Sequence, residues 1–241
     1  MTSGVYVGTA GWSIPKQHAA EFDADGSHLE RYARRLPAVE INSSFYRPHR
    51  PATYARWAAS VPDGFRFSAK VPRTVTHDRR LREAGELLQS FVGEVRALGD
   101  RLGPLLVQLP PSLRYEEEVV DRFLAEFRDV FDDGLACEPR HASWFTDEVD
   151  AHLTRYQVAR VAADPAVVLR AAVPGGWPGL VYHRLHGSPE VYSSPYSDDE
   201  LDAVAQQIRA ARSEPRKCWC IFDNTALGWA TRDALNLLRV L

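Results

Sequence analysis

Short apolar runs alternate along the chain with longer stretches in which apolar residues recur every three or four positions. The short runs are typical of buried strands, whereas the longer stretches have the period of an amphipathic helix. Strand, helix and strand in repeated succession is the pattern of parallel βαβ units. The sequence therefore predicts an α/β fold. The eight predicted strands are Val5–Gly8, Ala38–Asn42, Phe65–Lys70, Leu105–Leu109, Leu135–Glu138, Arg160–Asp164, Leu180–His186 and Cys218–Asp223.

Two of the helical stretches begin with a recognisable N-terminal signal. Ser27 is followed three residues later by Glu30, and Ser197 is followed by Glu200. This is the spacing of a capping box, in which the two side chains satisfy free backbone N–H groups. The connection after the sixth run is irregular and contains the loop sequence VPGGWPG at 173–179. Further helices are predicted around Glu83–Leu102, Glu116–Phe127, Asp147–Tyr156 and Ala226–Leu238.

Eight strand–helix units in 241 residues are typical of a closed TIM-type barrel. An open sheet that binds a dinucleotide would carry a G-x-G-x-x-G loop after its first strand. The corresponding segment, GTAGW at 8–12, has two glycines at a different spacing. The sequence therefore predicts a single eight-stranded parallel (β/α) barrel that forms one domain over residues 1–241.

Polar residues collect at the carboxyl ends of the predicted strands. In a parallel barrel these ends surround the mouth, where the βα loops build the active site. Alternation supports an inward orientation, because Gln108 shares a face with Leu106 while Leu105 and Val107 lie on the opposite, apolar face. Solvent exposure at strand ends is the alternative explanation for any single position. The polar strand-end residues are Glu40, Asn42, Lys70, Gln108, Glu138, Asp164, Arg184, His186, Asp223 and Asn224.

Composition excludes several functional classes. Hydrophobic residues make up 45% of the chain and charged residues 25%, as in soluble globular proteins. The formal net charge of -3 gives no overall attraction to nucleic acid or to anionic membranes. No run approaches the roughly 18 apolar residues of a membrane span, and no secretory signal is visible. Three cysteines are too few for a disulfide framework. We expect a cytoplasmic protein that does not bind membranes.

The densest group of chemistry-bearing residues follows the fifth predicted strand. We interpret Glu138 as a general acid or base, Arg140 as a ligand for an anionic substrate group, and His141 as a proton carrier. His186 is a second histidine candidate, and the glycine beside it permits close approach of a ligand. A purely structural ion pair between Glu138 and Arg140 explains their spacing equally well.

Other chemistries are kept as alternatives. Carboxylates and histidines around one mouth suit a divalent metal, although lysine and arginine in the same ring would repel it. Aromatic residues would suit sugar binding, but the interleaved basic residues fit phosphate or carboxylate better. Cys218 and Cys220 are interpreted as core residues. The basic run HDRRLR at 77–82 leaves phosphate contacts with nucleic acid as an alternative only. No cofactor is predicted.

Seven motifs extend over nearly the whole chain: GTAGW (8–12), VEINSSFY (39–46), FRFSAKVPRTVTH (65–77), LGPLLVQLPP (102–111), CEPRHASW (137–144), RLHG (184–187) and FDNT (222–225). In their order and spacing they resemble those of the YecE-like proteins, a family catalogued as domain of unknown function seventy-two. The resemblance implies a TIM-barrel fold and a site at these motif positions, without an established reaction. The sequence departs from the family pattern after Trp12, where SIPKQHAAEF replaces an aromatic-rich segment, and at Pro139, which replaces an aromatic residue.

These observations lead to one hypothesis and two alternatives. We expect an enzyme that binds a small anionic metabolite, bearing phosphate or carboxylate, at the barrel mouth and acts by acid–base chemistry. The alternatives are a metal-dependent hydrolase of phosphoesters or nucleic acid and a non-catalytic ligand-binding protein. We also predict that Arg140 or Arg184 keeps free donors for the anion beside His186, because one carboxylate engages only two of five guanidinium N–H groups. The candidate catalytic residues are Glu138, His141, His186 and Glu40, and the candidate substrate-binding residues are Trp12, Asn42, Tyr46, Lys70, His77, Gln108, Arg140, Trp144, Asp164, Arg184 and Asn224.

Overall fold

One mostly parallel sheet organises the computed structural model, which describes residues 4–211 and 216–241. Within these residues the strands are β1 (Val5–Ala10), β2 (Ala38–Ile41), β3 (Arg66–Lys70), β4 (Leu102–Gln108), β5 (Leu135–Glu138), β6 (Val158–Arg160), β7 (Ala162–Asp164), β8 (Gly175–Gly176), β9 (Leu180–Leu185) and β10 (Lys217–Phe222). Their order across the sheet is β7-β9-β10-β1-β2-β3-β4-β5-β6-β8. The strand pairs are parallel except for β6 with β8.

The predicted α/β fold is confirmed, but the described sheet has ten strands instead of the predicted eight. The predicted sixth strand is divided because the chain changes partner at Val161: β6 pairs with β5, whereas β7 pairs with β9. Only Val161 separates β6 from β7, so the two sides of the sheet come together in a nearly closed barrel. The short strand β8 lies in the predicted loop at 173–179 and pairs antiparallel with β6.

The helices follow the predicted alternation with the strands. In the described residues the α-helices are α1 (His28–Ala33), α2 (Pro51–Ala59), α3 (Gly85–Val95), α4 (Glu117–Val130), α5 (Asp147–Arg155), α6 (Asp198–Ala211) and α7 (Trp229–Val240). Both capping boxes are present. The Ser27 hydroxyl accepts from the Glu30 N–H and the Glu30 carboxylate accepts from the Ser27 N–H. Ser197 and Glu200 form the same pair of bonds at the start of α6.

Two helices differ from the sequence prediction. Helix α2 was not predicted because its apolar periodicity is weak, and Tyr54 is its one buried residue. Helix α3 is shorter than the predicted stretch, since it passes at Val95 into a 3-10 helix, Arg96–Arg101. Gly99 has a φ of 53° there, a conformation that glycine adopts without steric cost, and it directs the chain into β4. No helix in the described ranges is long and apolar enough to cross a membrane.

The barrel interior is apolar in its lower part and polar at its mouth. Trp219 fills the interior, with its ring stacked on Tyr182 at 6.0 Å and on Tyr6 at 4.9 Å between centroids. Leu106 and Ala136 belong to the same interior cluster. Successive inward positions on a strand are two residues apart, so the next inward residues after Leu106, Ala136 and Tyr182 lie one layer higher. These next residues are Gln108, Glu138 and Arg184.

Candidate functional site

Arg184 is the centre of a buried network at the mouth. Its guanidinium donates to Glu40 from Nε at 3.0 Å and from Nη2 at 2.7 Å. It also donates from Nη1 to Glu138 at 2.8 Å and from Nη2 to Asp223 at 3.0 Å. Arg184, Glu40 and Glu138 have no exposed surface. Three carboxylates from distant strands are therefore held together by one cation, which offsets the cost of burying them.

His186 bridges two of these carboxylates. Its Nε2 lies 2.8 Å from Glu138 Oε1, and its Nδ1 lies 3.1 Å from Asp223 Oδ2. Burial works to lower the pKa of His186, but Glu138 and the hydrogen bonds to Asp223 and Glu138 outweigh it and raise the pKa. Both ring nitrogens donate when the imidazole is protonated, so the charged form fits this position. The buried site thus retains a proton on His186 above the pH at which a free histidine loses it.

Glu138 remains ionised inside the protein. Burial works to raise its pKa, but Arg184, His186 and Arg140 hold the pKa well below the usual range of a glutamate. Gln108 adds a hydrogen bond, donated from Nε2 to Glu138 Oε2 at 3.0 Å. The second carboxylate oxygen faces His186. Glu138 therefore acts as a fixed negative charge that orients the groups around it.

Tyr182 and Ser68 form a lower layer beneath Glu40. The Tyr182 hydroxyl lies 2.9 Å from Glu40 Oε2 and 2.9 Å from Ser68 Oγ. A hydroxyl has one proton, so Tyr182 donates to the carboxylate and accepts from Ser68. Burial and the Glu40 charge raise the pKa of Tyr182 well above its ordinary value, which keeps the hydroxyl protonated.

Lys70 faces the same network without a close polar partner. It is 5% exposed, and among the contacts of the described residues its Nζ has no hydrogen bond and no carboxylate within 4.0 Å. The Nζ lies 4.2 Å from the centroid of the Phe45 ring. Burial, followed by repulsion from Arg184, lowers the pKa of Lys70 to about 8, against the opposing effect of the three carboxylates. The lowered pKa gives this amine a larger neutral fraction near pH 7 than an ordinary lysine has.

Two further cationic or titratable groups lie at the rim. Arg140 Nη1 is 3.5 Å from Glu138 Oε1, the one ion pair that it forms within the described chain, and its side chain is 23% exposed. The His77 ring packs edge-on against Phe45 at 5.0 Å between ring centroids. Its Nδ1 shares a hydrogen bond with the Thr76 hydroxyl. Burial, Lys70 and Arg73 lower the pKa of His77, which favours the neutral ring.

Arg140 and Arg184 differ sharply in free donor capacity. Arg184 uses all three guanidinium nitrogens on buried carboxylates. Among the described residues Arg140 makes only the 3.5 Å contact with Glu138, so its other guanidinium N–H groups have no protein acceptor there. The predicted free donors therefore belong to Arg140, and Arg184 is the structural centre of the site.

Four predicted site residues serve local structure instead of facing the network. His141 caps the 3-10 helix Ala142–Trp144, with Nδ1 accepting from the Ser143 N–H. Trp144 is 1% exposed and donates from Nε1 to the Leu113 carbonyl in the core outside the barrel. Asp164 accepts from the Tyr196 hydroxyl at 2.7 Å. Asn224 donates to Ser194 O and to Asp233 Oδ2, and thereby ties the strand end to α7.

The three remaining predicted residues lie around the network without a bond to it. Trp12 packs against Trp57 and Phe67 at 4.9 and 6.5 Å between ring centroids. Tyr46 is 69% exposed and contacts Phe45. Asn42 is half-buried, and its Oδ1 is a buried acceptor without a hydrogen-bond partner.

Sequence reasoning left several network residues out of the predicted site. Asp223 is predicted only as a polar strand-end residue, although it contacts both Arg184 and His186. Alternation along the strand was a usable signal for Tyr182, which is two residues before Arg184, and for Ser68, which is two residues before Lys70. No sequence signal places Phe45 against Lys70, because that contact depends on how the loop after β2 folds.

The network does not offer a set of metal ligands. Among residues 4–211 and 216–241, no three His, Cys, Asp or Glu side chains are arranged to hold a metal ion. The three carboxylates are oriented toward the Arg184 guanidinium, which occupies the position where a cation would be bound. The geometry therefore supports no step that passes through a divalent metal.

We expect the contribution of His186 to stability to depend on pH. Because its pKa is raised in the folded protein, the stabilisation is complete below the pKa of a free histidine, about 6.5, and disappears as the pH rises through the folded-state pKa. The variant His186→Asn should therefore lose about 1–3 kcal/mol at pH 6 and less at pH 9, measured by urea unfolding. The exposed His28→Asn is the control, and an equal loss for His186→Asn at both pH values would contradict the assignment.

Comparison with known proteins decides the family. A family model described as protein of unknown function DUF72 matches residues 6–241. The chain belongs to the DUF72 family. This confirms the resemblance to YecE-like proteins that the seven motifs indicated.

Related proteins are similar to this chain over different fractions of their length. The UPF0759 protein YecE of Escherichia coli K12 is 32% identical over 142 residues, which cover 58% of this chain and 50% of YecE. This match thus spans half the length of that relative. The UPF0759 protein YunF of Bacillus subtilis is 24% identical, with 98% of this chain and 94% of YunF covered. The crystal structure of a DUF72 protein from Enterococcus faecalis has a TM-score of 0.83 at 23% identity, covers 98% of this chain and 95% of that one, and shares the fold.

Proposed function

We propose that the protein is an enzyme that binds a small metabolite bearing phosphate or carboxylate at the barrel mouth and acts on it by acid–base chemistry. The observation that carries this proposal is that two cationic side chains at the mouth keep hydrogen-bond donors without a close protein acceptor among the described residues. Arg140 has free guanidinium donors, and Lys70 has no carboxylate within 4.0 Å in the described chain. An anion between these two groups would complete their hydrogen bonding and neutralise their charge.

The acid–base part of the proposal uses the buried pair Glu138 and His186 and the half-buried His77. Glu138 stays ionised, so we assign it to holding a proton on His186 instead of exchanging one itself. His186 is 1% exposed, and in this assignment it keeps its proton and can donate it to the bound substrate. The lowered pKa of His77 favours its neutral ring, which can accept a proton from a molecule bound at the rim. His141 is not part of this assignment, because its ring caps the following 3-10 helix.

Nucleic acid as the substrate receives little support from the basic run at 77–82. Arg79 pairs with Glu83 and Arg82 with Glu116. Arg80 donates to the hydroxyl and carbonyl of Ser112. Arginines that are already engaged by protein groups offer fewer donors to phosphates. The non-catalytic binding protein remains the alternative in which the same anion binds and is released unchanged.

We expect inorganic phosphate to raise the thermal unfolding midpoint of the protein. A ligand that binds only the folded state stabilises it by about 2.7 kcal/mol at one hundred times its dissociation constant. The variant Arg140→Met should lose this response, whereas Arg56→Met, which removes an exposed charge from α2, should keep it. Chloride at equal ionic strength measures the general salt effect. The same midpoint increase in Arg140→Met as in the unaltered protein would eliminate Arg140 as the anion ligand and the proposed substrate class with it.

A further inference from the structure

The chain uses lysine sparingly. Of its 29 cationic Lys and Arg residues only three are lysines: Lys16, Lys70 and Lys217. Lys16 and Lys217 are exposed, whereas Lys70 is buried at the end of β3. Lysine is almost never fully buried unless it is paired, because desolvation of the ammonium is costly. Among the described residues the Lys70 side chain is buried without a hydrogen bond or an ion pair, and its amine contacts the Phe45 ring.

The surroundings of Lys70 suit a reactive amine. The Lys70 Nζ lies over the face of the Phe45 ring, and Arg184 repels the positive charge of the ammonium. Glu40, Glu138 and Asp223 act on the amine through space but direct their oxygens at Arg184. The amine consequently has no hydrogen bond to the network, but it remains within the electrostatic field of the network's charges. A lysine desolvated beside another cation is the arrangement that makes the amine a nucleophile.

We propose that Lys70 forms a Schiff base with the carbonyl group of a small anionic oxo compound. Arg140 would hold the carboxylate or phosphate of this compound, and this part of the proposal rests on the function proposed above. The substrate class is thus narrowed from any anionic metabolite to an aldehyde or ketone that carries an anionic group. Lys70 becomes the catalytic nucleophile, a role that the acid–base assignment alone does not include.

Formation of the Schiff base needs only the Lys70 amine and the carbonyl compound, and it releases one molecule of water. His77 first accepts one proton from the Lys70 ammonium, and the neutral Nζ attacks the carbonyl carbon while the π electrons move to oxygen. The carbinolamine then loses its oxygen as water, which carries away two of the three ammonium protons, one of them returned by His77. A C–N double bond replaces the C–O double bond, and the iminium retains one proton and one positive charge. The ammonium and the iminium therefore carry the same net charge.

Because the ammonium and the iminium carry the same charge, the three carboxylates that Arg184 holds act on both in the same way. They stabilise a positive charge at Nζ through space without forming the close ion pair that would hold the amine protonated. The same field acts on the iminium once the bond has formed. The network thus accommodates the intermediate with little rearrangement of its own hydrogen bonds.

Reductive trapping with glyoxylate, a small aldehyde carrying a carboxylate, tests the proposal on the full-length protein. Glyoxylate and sodium cyanoborohydride at pH 7 should convert the Schiff base into a stable secondary amine, located by peptide mass spectrometry. We expect about tenfold more labelling at Lys70 than at Lys16 or Lys217, because a pKa of about 8 leaves far more neutral amine than an ordinary lysine has. Labelling of Lys70 no greater than that of the two exposed lysines would overturn the proposal.

Labelling with acetaldehyde, which lacks the anionic group, shows whether the Schiff base forms at Lys70 independently of the anion site on which the proposed function rests. Preferential labelling of Lys70 by glyoxylate that falls in Arg140→Met supports both the Schiff base and the anion site. Equal preference for Lys70 with both aldehydes, unchanged in Arg140→Met, supports the Schiff base and removes the anion site. A phosphate-dependent rise in the unfolding midpoint without preferential labelling of Lys70 retains the anion site and overturns the Schiff base. In Lys70→Met, label on other residues should be unchanged, which serves as the control for general reactivity.

Discussion

The variant Arg184→Met is expected to lose about 3–5 kcal/mol of folding free energy, because breaking a buried ion pair leaves an uncompensated charge. Arg184 is the shared partner of Glu40, Glu138 and Asp223, so its removal leaves three buried carboxylates facing one another. Methionine fills much of the same volume without the charge. Urea unfolding at pH 7 measures the loss.

A second arginine variant and a lower pH distinguish the loss of the buried charge from a general loss of an arginine. Arg140→Met removes a partly exposed arginine with a single long ion pair, so its effect should stay within about 1 kcal/mol. The loss of unfolding free energy in Arg184→Met should be smaller at pH 5 than at pH 7. Carboxylates that have lost their cation have raised pKa values, so at pH 5 the folded variant binds protons that the unfolded chain does not bind. Equal unfolding midpoints for the two arginine variants would show that Arg184 does not organise the network.

Asp150→Ala is expected to destabilise the protein by a similar amount, about 3–5 kcal/mol, at a second buried ion pair. Arg160 is 1% exposed and donates to Asp150 from Nε at 2.7 Å and from Nη2 at 3.2 Å. Asp150 also accepts from Arg170 and from the Gly176 N–H. The aspartate thus connects α5 to β6, β8 and the intervening loop, and its loss leaves the Arg160 guanidinium buried with only carbonyl acceptors.

Asp147→Ala provides the matched control. Asp147 lies in the same first turn of α5 and pairs with the same Arg170, but its side chain is 88% exposed. Solvent screening limits such a pair to about 1 kcal/mol. Guanidinium chloride unfolding of both variants should therefore separate them clearly. A loss in Asp150→Ala no larger than in Asp147→Ala would mean that Arg160 is solvated and that the joint between α5 and β6 does not depend on charge.

The inward positions along a strand and the starts of two helices were predictable because their signals are local. Alternation along β4 placed Gln108 inward with Leu106, and both face the interior. The two capping boxes were also readable, since their partners are only three residues apart. Strand count was less accessible, because the division at Val161 depends on which neighbour each half of the segment meets.

The assignment of roles within the site needed the assembled barrel. From the sequence, Glu138 had two cationic neighbours to choose from, Arg140 close by and Arg184 further along the chain. The structure gives the short contacts to Arg184 and only a 3.5 Å contact to Arg140. His141 and Trp144 lie in the same motif as Glu138, yet their ring nitrogens bond to Ser143 and to the Leu113 carbonyl and not to the network.

The sequence by itself determined the α/β alternation, the end of the strands at which charged groups gather, and the family. These depend on periodicity and on short-range spacing, which a single strand or helix carries within itself. The tertiary structure decided which charges are neutralised and which are left free. Arg184 and Glu40 are 144 residues apart in sequence, and they meet because the sheet curves into a nearly closed barrel. The same closure encloses Lys70 beside three carboxylates already bound to another cation, so its unpaired amine is a property of the folded chain alone.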